Sequence, residues 1–431
     1  LLAERAHKRG LAVLVRQLGD SAGIGGDALR ARQQALASGV VVKPWQAGAL
    51  EPRGVLVDAL LGTGLGGEVR PAQREAIEAI NASGLPVLAL DIPSGLCADS
   101  GRILGSAVRA AVTVTFISAK RGLYTGRGPD YCGELRLASL EVPAAACAAV
   151  PPSCRQLVLA PLLAALPPRA VDGHKGRYGR VLVVGGDHGL GGATLLAAEA
   201  ALRCGAGLVS AATRAEHVPA LLARRPEVMA SAVSGGQPLA ALVAAADVLA
   251  LGPGLGRSSW SEQLFRAACD QPGGGSGPAL VVDADALNLL AQGVGGVALG
   301  RDNWVLTPHP GEAARLLAID TASVQADRFA AVRALQARYG GVAVLKGNGT
   351  LICDGVQLLL SDYGNPGMAS GGMGDVLSGV IAALLAQGLP ALLATALGVC
   401  LHGRAADIAA ADGQRGLLAS DLLAPMRTLL G

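Results

Sequence analysis

The feature that most constrains this chain is a repeated pattern: a short apolar run, then a glycine-rich or charged cluster, then a helical segment. In the second half, the runs with strand character lie at 179–184, 207–212, 248–251, 279–282, 304–306 and 342–345. Strands that alternate with helices predict a parallel sheet. Ligands of such sheets bind beyond the carboxyl ends of the strands, so we expect the clusters to converge on one site.

The first half repeats the pattern, with strand candidates at 11–18, 54–60, 86–90, 112–117 and 133–140. A helix is predicted over 71–83, because Pro71 stands at a helix start and Gly84 just after a helix end. Ala and Pro are frequent between residues 143 and 170. We place a domain boundary there, which predicts domains 1–150 and 151–431, and both are expected to be α/β.

Composition argues against several classes of protein. The net charge is +3 without a basic run, which does not favour nucleic-acid binding. No uninterrupted apolar stretch approaches twenty residues, so no membrane span is expected. The eight cysteines are scattered and the six histidines are dispersed. This usage predicts reduced thiols in a cytoplasmic protein and gives no metal-ligand spacing.

The densest cluster is Asn365-Pro-Gly-Met-Ala-Ser-Gly-Gly-Met-Gly-Asp375, which runs directly into an apolar helical segment. Free N–H groups at a helix start attract anions, and glycine lets a ligand approach them closely. Asp375, in the first turn, is a candidate general base. Asp is also common there as a simple cap, but a cap alone does not need so many glycines. The segment predicts a site that holds a phosphate while a hydroxyl loses its proton.

Five further clusters follow predicted strands of the second half, at 185–193, 252–256, 283–288, 307–312 and 346–350. Each alone could be an ordinary strand-to-helix turn, with His309 a loop residue and Lys346 a solvated charge. Five of them at successive strand ends are hard to attribute to turn chemistry.

With these motifs, residues from about 172 to 431 resemble the ADP- or ATP-dependent NAD(P)H-hydrate dehydratases, which have a ribokinase-like fold. The matching segments are GGxxGxGGA at 185–193, LGPGLG at 251–256, Asp283-Ala-Asp285, TPHPGE at 307–312, KGNGT at 346–350 and GxGD at 372–375.

The resemblance implies that Asp375 takes the proton from the C6 hydroxyl of the hydrate as phosphate is transferred to it, after which the phosphorylated intermediate eliminates. It places the hydrate at Ala193, Gly256 and His309. It assigns ADP binding to Lys346, Gly347, Asn348, Gly349, Thr350 and Gly374.

Residues 11–143 resemble the companion NAD(P)H-hydrate epimerases, whose fold is Rossmann-like. The matching motifs are VDALLGTGLGGE at 57–68, LDIPSG at 90–95 and KRGLYTG at 120–126. The resemblance implies that Asp58 and Ser94 bind potassium, although Asp58 alone could simply cap a turn. It makes Asp91 a substrate-contacting residue and our candidate acid–base group. The implied substrate-phosphate loop is Gly62, Thr63, Gly64, Leu65, Gly66, Gly67 and Glu68.

Residues 62–67 also satisfy G-x-G-x-x-G, the dinucleotide fingerprint. Glu78, near the distance expected for a ribose-binding acid, falls in a helical segment and not at a strand end, so a dehydrogenase is not favoured. The family's Asn-Asn-Gly-Gly-Asp-Gly loop does not occur in residues 1–60. We therefore expect an epimerase domain that lacks its start, epimerises poorly and is the less stable half.

The fused pair implies nicotinamide-nucleotide repair: ADP-dependent dehydration of the S hydrate, joined to interconversion of the R and S hydrates. ADP, with ATP as an alternative, Mg²⁺ and K⁺ are the implied co-substrate and ions. Hydrated NADH and NADPH are the implied substrates, and a homo-oligomer is expected. Two other functions stay open: a small-molecule kinase of the ribokinase type, whose phosphate remains on the product, and a catalytically silent dinucleotide-binding protein.

Overall fold

The computed structural model describes residues 1–46, 48, 50–270 and 277–431, and it divides into two compact units. The first unit contains Leu1–Leu123 and Arg127–Ala149. The second contains Val150–Gly431 together with the short segment Tyr124–Gly126. Both units combine helices with mainly parallel strands, so the prediction of an α/β protein is confirmed.

The first unit contains two separate sheets. Its strands are β1 Leu14–Gln17, β2 Val41–Pro44, β3 Leu56–Asp58, β4 Val87–Leu90, β5 Val112–Phe116 and β6 Glu134–Ala138. Its helices are α1 Leu2–Lys8, α2 Gly26–Ala37, α3 Pro71–Ala82, α4 Gly128–Cys132 and α5 Ala144–Ala148. Strands β3 to β6 form a parallel sheet in chain order, whereas β1 pairs in parallel with β2. Strand β2 was not among the predicted strands, because its run is short and ends in proline.

The second unit is built on one ten-stranded sheet. Its strands are β7 Arg155–Gln156, β8 Arg180–Val184, β9 Leu208–Thr213, β10 Met229–Ala232, β11 Val248–Leu251, β12 Ala279–Val282, β13 Trp304–Leu306, β14 Val342–Leu345, β15 Thr350–Cys353 and β16 Leu358–Ser361. Its helices are α6 Leu159–Ala164, α7 Gly191–Arg203, α8 Val218–Arg224, α9 Gly236–Ala244, α10 Ser259–Cys269, α11 Ala284–Ala291, α12 Pro310–Leu317, α13 Thr321–Ala326, α14 Arg328–Tyr339, α15 Met373–Ala386, α16 Ala391–Ala409 and α17 Leu423–Leu430.

The strand order of this sheet is β10-β9-β8-β11-β12-β13-β14-β15-β16-β7. All neighbours from β10 to β14 are parallel, and β15 enters as the antiparallel member of a hairpin with β16. From β8 the chain moves outward through β9 and β10, then returns to β11 on the other side of β8. The chain direction across the sheet therefore reverses between β8 and β11, which makes this the topological switch point.

The central strands are apolar throughout because helices cover both faces of the sheet. In β8, Val181 and Val183 belong to a core that includes residues of α7, α15 and α16. Leu182 and Val184 belong to a second core that includes residues of α10 and α11.

Helix α16 is the only helix among the described residues whose length and apolar composition would suffice to cross a membrane. Its apolar stretch is 67% buried in the fold, so burial in the protein core accounts for that composition. Helix α15 is likewise buried along nearly its whole length, and its first turn carries Asp375.

Candidate active site

The loops after β8 and β11 lie side by side at the switch point. The backbone N–H of Asp187 donates to the carbonyl of Gly254 at 2.7 Å. A Cβ on Gly254 would lie 3.1 Å from Cβ of Ala193, at the start of α7. The N–H of Gly256 donates to Asp285 Oδ2 at 2.9 Å, which adds the cluster after β12. Three of the predicted clusters are therefore neighbours in space, at the position where open α/β sheets bind ligands.

A buried ion pair joins the remaining clusters. Lys346 Nζ, after β14, lies 2.6 Å from Oδ1 of Asp283, after β12. It also lies 3.9 Å from Glu312 Oε2, after β13. Ser378 Oγ, one turn into α15, donates to Asp283 Oδ2 at 2.9 Å. Asp283, only 1% exposed, is therefore the residue through which the loops and α15 meet.

The charge of Lys346 is stabilised by this arrangement. Burial alone would lower the pKa of its ammonium, but the carboxylates of Asp283 and Glu312 outweigh that effect and raise the pKa. Lys346 is therefore a fixed cation, and it faces the start of α15.

Asp375 lies in the first turn of α15, as the sequence predicted. The N-cap residue Gly372 has a left-handed conformation, with φ of 89°, and in the described chain no side chain caps this helix start. A Cβ on Gly374 would come within 3.2 Å of both Asp283 Oδ2 and Lys346 Nζ. The first turn thus presents free N–H groups close to a cation, which is the arrangement that binds a phosphate.

The carboxyl of Asp375 is tuned for proton transfer near neutral pH. Burial, followed by the charge of Asp283, raises its pKa to about 7, while Lys346 opposes the shift. A general base works best when its pKa lies near the working pH. Asp375 therefore combines the position and the proton affinity that a hydroxyl-activating base needs.

His309 is the N-cap of α12. Its Nδ1 accepts from the N–H of Gly311 at 3.0 Å, and Glu312 Oε2 accepts from the N–H of His309 at 2.8 Å. Burial and the charge of Lys346 lower the pKa of His309, so the ring is neutral at pH 7 with its proton on Nε2. Burial raises the pKa of Glu312 to about 7. His309 Nε2 also lies 3.5 Å from Glu312 Oε1, so the ring proton can be directed to that carboxyl or to a ligand.

The Lys346–Thr350 loop is held by a residue that no sequence motif indicated. Arg328, at the start of α14 and 1% exposed, donates to the carbonyls of Leu345, Lys346 and Gly349 at 3.2, 3.2 and 3.3 Å. Its Nε donates to Thr125 Oγ1 at 3.1 Å. Burial lowers the pKa of its guanidinium to about 10, so it stays charged. Arg328 fixes the backbone that the predicted nucleotide loop presents to its ligand.

In the first unit, Asp58 and Ser94 are in direct contact. Asp58 accepts from the Ser94 N–H at 2.7 Å and from Ser94 Oγ at 2.6 Å. Asp58 is 1% exposed, and burial raises its pKa. No basic side chain of the described residues forms an ion pair with it, so a bound monovalent cation would neutralise an otherwise uncompensated charge. The described residues contain no group of three or more His, Cys, Asp or Glu side chains that could hold a metal ion.

Asp91 follows β4 in a conformation that side chains rarely adopt, with φ of 70°. Its Oδ1 accepts from the N–H of Phe116 at 3.1 Å and contacts the ammonium of Lys120. Lys120 Nζ also donates to the carbonyl of Phe116 at 2.7 Å. A non-glycine residue held at positive φ often marks a functional site. Lys120 belongs to the KRGLYTG motif at 120–126, but no feature of the sequence indicated a role for it.

The 62–68 segment is an exposed loop between β3 and α3. None of its glycines needs a positive φ, and an added Cβ on Gly62, Gly64, Gly66 or Gly67 would meet no atom. Neither backbone strain nor packing requires these glycines, so close approach of a ligand is the remaining physical reason for them. No helix starts at the last glycine, as the dinucleotide fingerprint would need, because α3 begins at Pro71.

Comparison with known proteins matches both units to families. Residues 181–427 match the NAD(P)H-hydrate dehydratase family, and residues 1–122 match the family described as YjeF-related protein N-terminus. The bifunctional NAD(P)H-hydrate repair enzyme Nnr of Coxiella burnetii is 48% identical over 434 residues, covering 100% of this chain and 87% of that protein. The enzyme of the same name from Escherichia coli is 43% identical over 380 residues, covering 87% of this chain and 71% of that protein.

Solved structures match the second unit. The ADP/ATP-dependent NAD(P)H-hydrate dehydratase of Bacillus subtilis, co-crystallised with ATP and Mg²⁺, has a TM-score of 0.57 at 28% identity. The match covers 64% of this chain and 98% of that one. A ribokinase-like superfamily protein of Enterococcus faecalis has a TM-score of 0.60 at 32% identity, over 64% of this chain and 95% of that one.

Proposed function

The chain belongs to the family of bifunctional NAD(P)H-hydrate repair enzymes, and from that premise we propose how its residues divide the work. It carries an epimerase domain and an ADP- or ATP-dependent dehydratase domain, and it is both an isomerase and a lyase. The second unit dehydrates the S hydrate of NADH or NADPH. The first unit interconverts the R and S hydrates.

Asp375 is the general base of the dehydratase. It accepts the proton of the C6 hydroxyl while that oxygen attacks the terminal phosphorus of ADP and AMP leaves. The phosphorylated carbon then loses phosphate, the neighbouring carbon loses a proton, and the ring double bond is restored. The observation that carries this assignment is the place of Asp375, whose pKa is raised to about 7, in the first turn of α15 beside Lys346 and Gly374.

The moving phosphoryl group is held by electrostatics. The N–H groups at the start of α15 and the ammonium of Lys346 stabilise charge as it spreads over the phosphoryl oxygens. The adenine nucleotide lies along the Lys346–Thr350 loop, whose backbone Arg328 fixes. Mg²⁺ would arrive with the nucleotide, since it prefers phosphate oxygens together with only one or two carboxylates. Ala193, Gly256 and His309 contact the hydrate.

In the first unit, Asp91 and Lys120 act as the acid–base pair of the epimerase, because a carboxylate and an ammonium in contact can together accept and return a proton of a substrate bound beside them. The 62–68 loop receives the substrate phosphate. Asp58 and Ser94 would hold K⁺, which fits the buried carboxylate that lacks a cationic partner in the described chain. That ion would add positive charge beside the anionic substrate.

We also propose a cytoplasmic location and a homo-oligomeric state. All eight cysteines are free, and Cys132, Cys204, Cys269, Cys353 and Cys400 are buried, which suits a reducing compartment.

One product assay tests the dehydratase assignment. The protein is incubated with hydrated NADH and either ADP or ATP, and nicotinamide absorbance and free phosphate are followed together. Restored absorbance with equal phosphate release supports the proposal. A stable phosphoester would instead identify a kinase, and no change in either signal would identify a silent binding protein.

The epimerase assignment is tested with the R hydrate and an excess of a separate dehydratase that acts only on the S form. We expect Asp91→Asn and Lys120→Met each to slow conversion at least a hundredfold. Lys43→Met, at an exposed lysine of the same unit, should leave the rate unchanged. Rates of the two site variants equal to that of Lys43→Met would remove the acid–base roles.

A further inference from the structure

A second charged site lies at the far end of α7. Ala193 stands at the start of this helix, in the dehydratase site, and Arg203 ends it ten residues later, about 15 Å along the axis. Arg203 lines a cavity of about 620 Å³ together with three other arginines. These are Arg224 and Arg225, at the end of α8, and Arg427, in the last turn of α17.

The charges around this cavity do not balance. Glu199 is the only acidic side chain that lines it, and it is 4% exposed. Gly431, which carries the terminal carboxylate of this chain, also lines the cavity. It contacts the guanidinium of Arg225 and lies 3.9 Å from Nε of Arg224. Arg203 and Arg427 form no ion pair with any described residue. Nε of Arg225 is buried without a hydrogen-bond partner in the described chain. Four cations and two carboxylates, those of Glu199 and of the terminal Gly431, therefore surround the same open space, which leaves an excess of positive charge.

The helix dipole explains the position of each arginine separately, but it does not explain why they lie together. Arg203, Arg224 and Arg427 each occupy the last turn of a helix, where a cation is favoured by about 0.3–1 kcal/mol. Gathering them around one cavity adds mutual repulsion, and a buried N–H without an acceptor adds a further cost. An anion in the cavity would relieve both.

We propose that this cavity binds a small phosphorylated anion. The planar fork of an arginine matches two phosphate oxygens at once, and several arginines favour a group with at least two negative charges. The volume lies within the range of small-molecule sites and leaves room for an organic part beyond the phosphate. Leu423 and Ala424 supply an apolar wall for that part.

The test is calorimetric titration of the full chain carrying Lys346→Ala with pyrophosphate and without nucleotide, because this change weakens the phosphate site of the dehydratase while the arginine cavity stays empty. We expect one binding event per chain. Arg203→Ala and Arg427→Ala should each weaken it about tenfold, the loss expected for one charge-assisted hydrogen bond. Arg338→Ala is the matched control, because Arg338 also ends a helix, is exposed and lies outside the cavity. It should bind like the unchanged protein.

The outcomes are distinct. No heat at millimolar pyrophosphate, or equal affinity in all variants, would overturn the proposal. A change in sedimentation of Arg427→Ala without pyrophosphate binding by the unchanged protein would make the cavity a contact between subunits, which also overturns it. Arg427 is exposed, so its loss does not threaten folding. The result is independent of the dehydratase assignment, because binding and not turnover is measured.

Discussion

Replacing Gly374 by alanine should separate folding from catalysis in the second unit. Gly374 is the second residue of α15, and no positive φ demands glycine there. An added Cβ would lie 3.2 Å from Asp283 Oδ2 and 3.2 Å from Lys346 Nζ. These contacts are tight by a few tenths of an ångström, and the end of a lysine side chain can adjust by that much.

The two effects of the methyl group can be estimated separately. Alanine in place of glycine in a helix raises the free energy of unfolding by about 1 kcal/mol, and the close contacts lower it by a similar amount. The melting temperature should then change by less than about 3 °C in a domain of this size. The methyl group also fills the space before the first-turn N–H groups. Because losing one oxyanion donor costs about 10²–10³ in kcat, we expect a fall of that order.

The assay is thermal unfolding together with nicotinamide absorbance at saturating ADP and hydrate. Gly192→Ala is the control for stability, since Gly192 is the second residue of α7 and an added Cβ there meets no atom. Its change in melting temperature gives the helix preference alone. If the kcat of Gly374→Ala were within twofold of that of the unchanged protein, Gly374 would be needed only for the local backbone turn, and the phosphate site would lie elsewhere.

Four further substitutions and one pH profile address the same site. Asp375→Asn should lower the rate of dehydration at least a hundredfold, while calorimetry still detects ADP binding. In the unchanged protein, kcat/KM should fall about tenfold per pH unit below about pH 6, because Asp375 must be deprotonated to accept a proton and its pKa is about 7. A kcat/KM that does not change with pH in this acid range would contradict the assignment. Lys346→Ala should weaken ADP more than hydrate, and His309→Ala the reverse, and calorimetric titration giving the opposite order would refute the site. Arg328→Met should lower the free energy of unfolding, measured with urea, by about 2–4 kcal/mol and weaken ADP binding, because three carbonyls lose the guanidinium as a donor. Arg338→Met, exposed in the same helix, should do neither, and equal effects in the two variants would remove the special role of Arg328.

The central strands of the second unit were predictable because they are apolar throughout and end in glycine or charge. Four of the predicted ranges, 248–251, 279–282, 304–306 and 342–345, agree with β11 to β14 at both ends. Strand β10, Met229–Ala232, was missed, since Met-Ala-Ser-Ala at a sheet edge carries neither an apolar run nor strong strand preference. The strand order, and with it the switch point, follows from pairing between distant segments and has no local signal.

Some residues of the candidate site could be predicted from the sequence, and others could not. Lys346 and His309 could be found because each lies within a glycine-containing motif at a strand end, and Asp375 because a glycine-rich segment leads into its helix. Their roles stay predictions, but the structure does bring their loops together. Arg328 could not be found, since its partners lie up to 203 residues away and its own helix looks ordinary. Lys120 could be seen but not interpreted until its contact with Asp91 was known.

The chain cannot be divided into its two units by one cut. Tyr124–Gly126 belongs to the second unit although the residues on both sides belong to the first. Thr125 is fully buried, and its hydroxyl contacts the carbonyls of Asn348 and Gly349 and accepts from Arg328. A polypeptide that starts at residue 151 would lose the contacts of Thr125 with the Lys346–Thr350 loop, and the buried guanidinium of Arg328 would lose one of its acceptors. If the gene were divided near residue 150, the second unit alone would therefore be less stable. If residues 124–126 were present on a separate chain, the two chains would have to associate to restore these contacts.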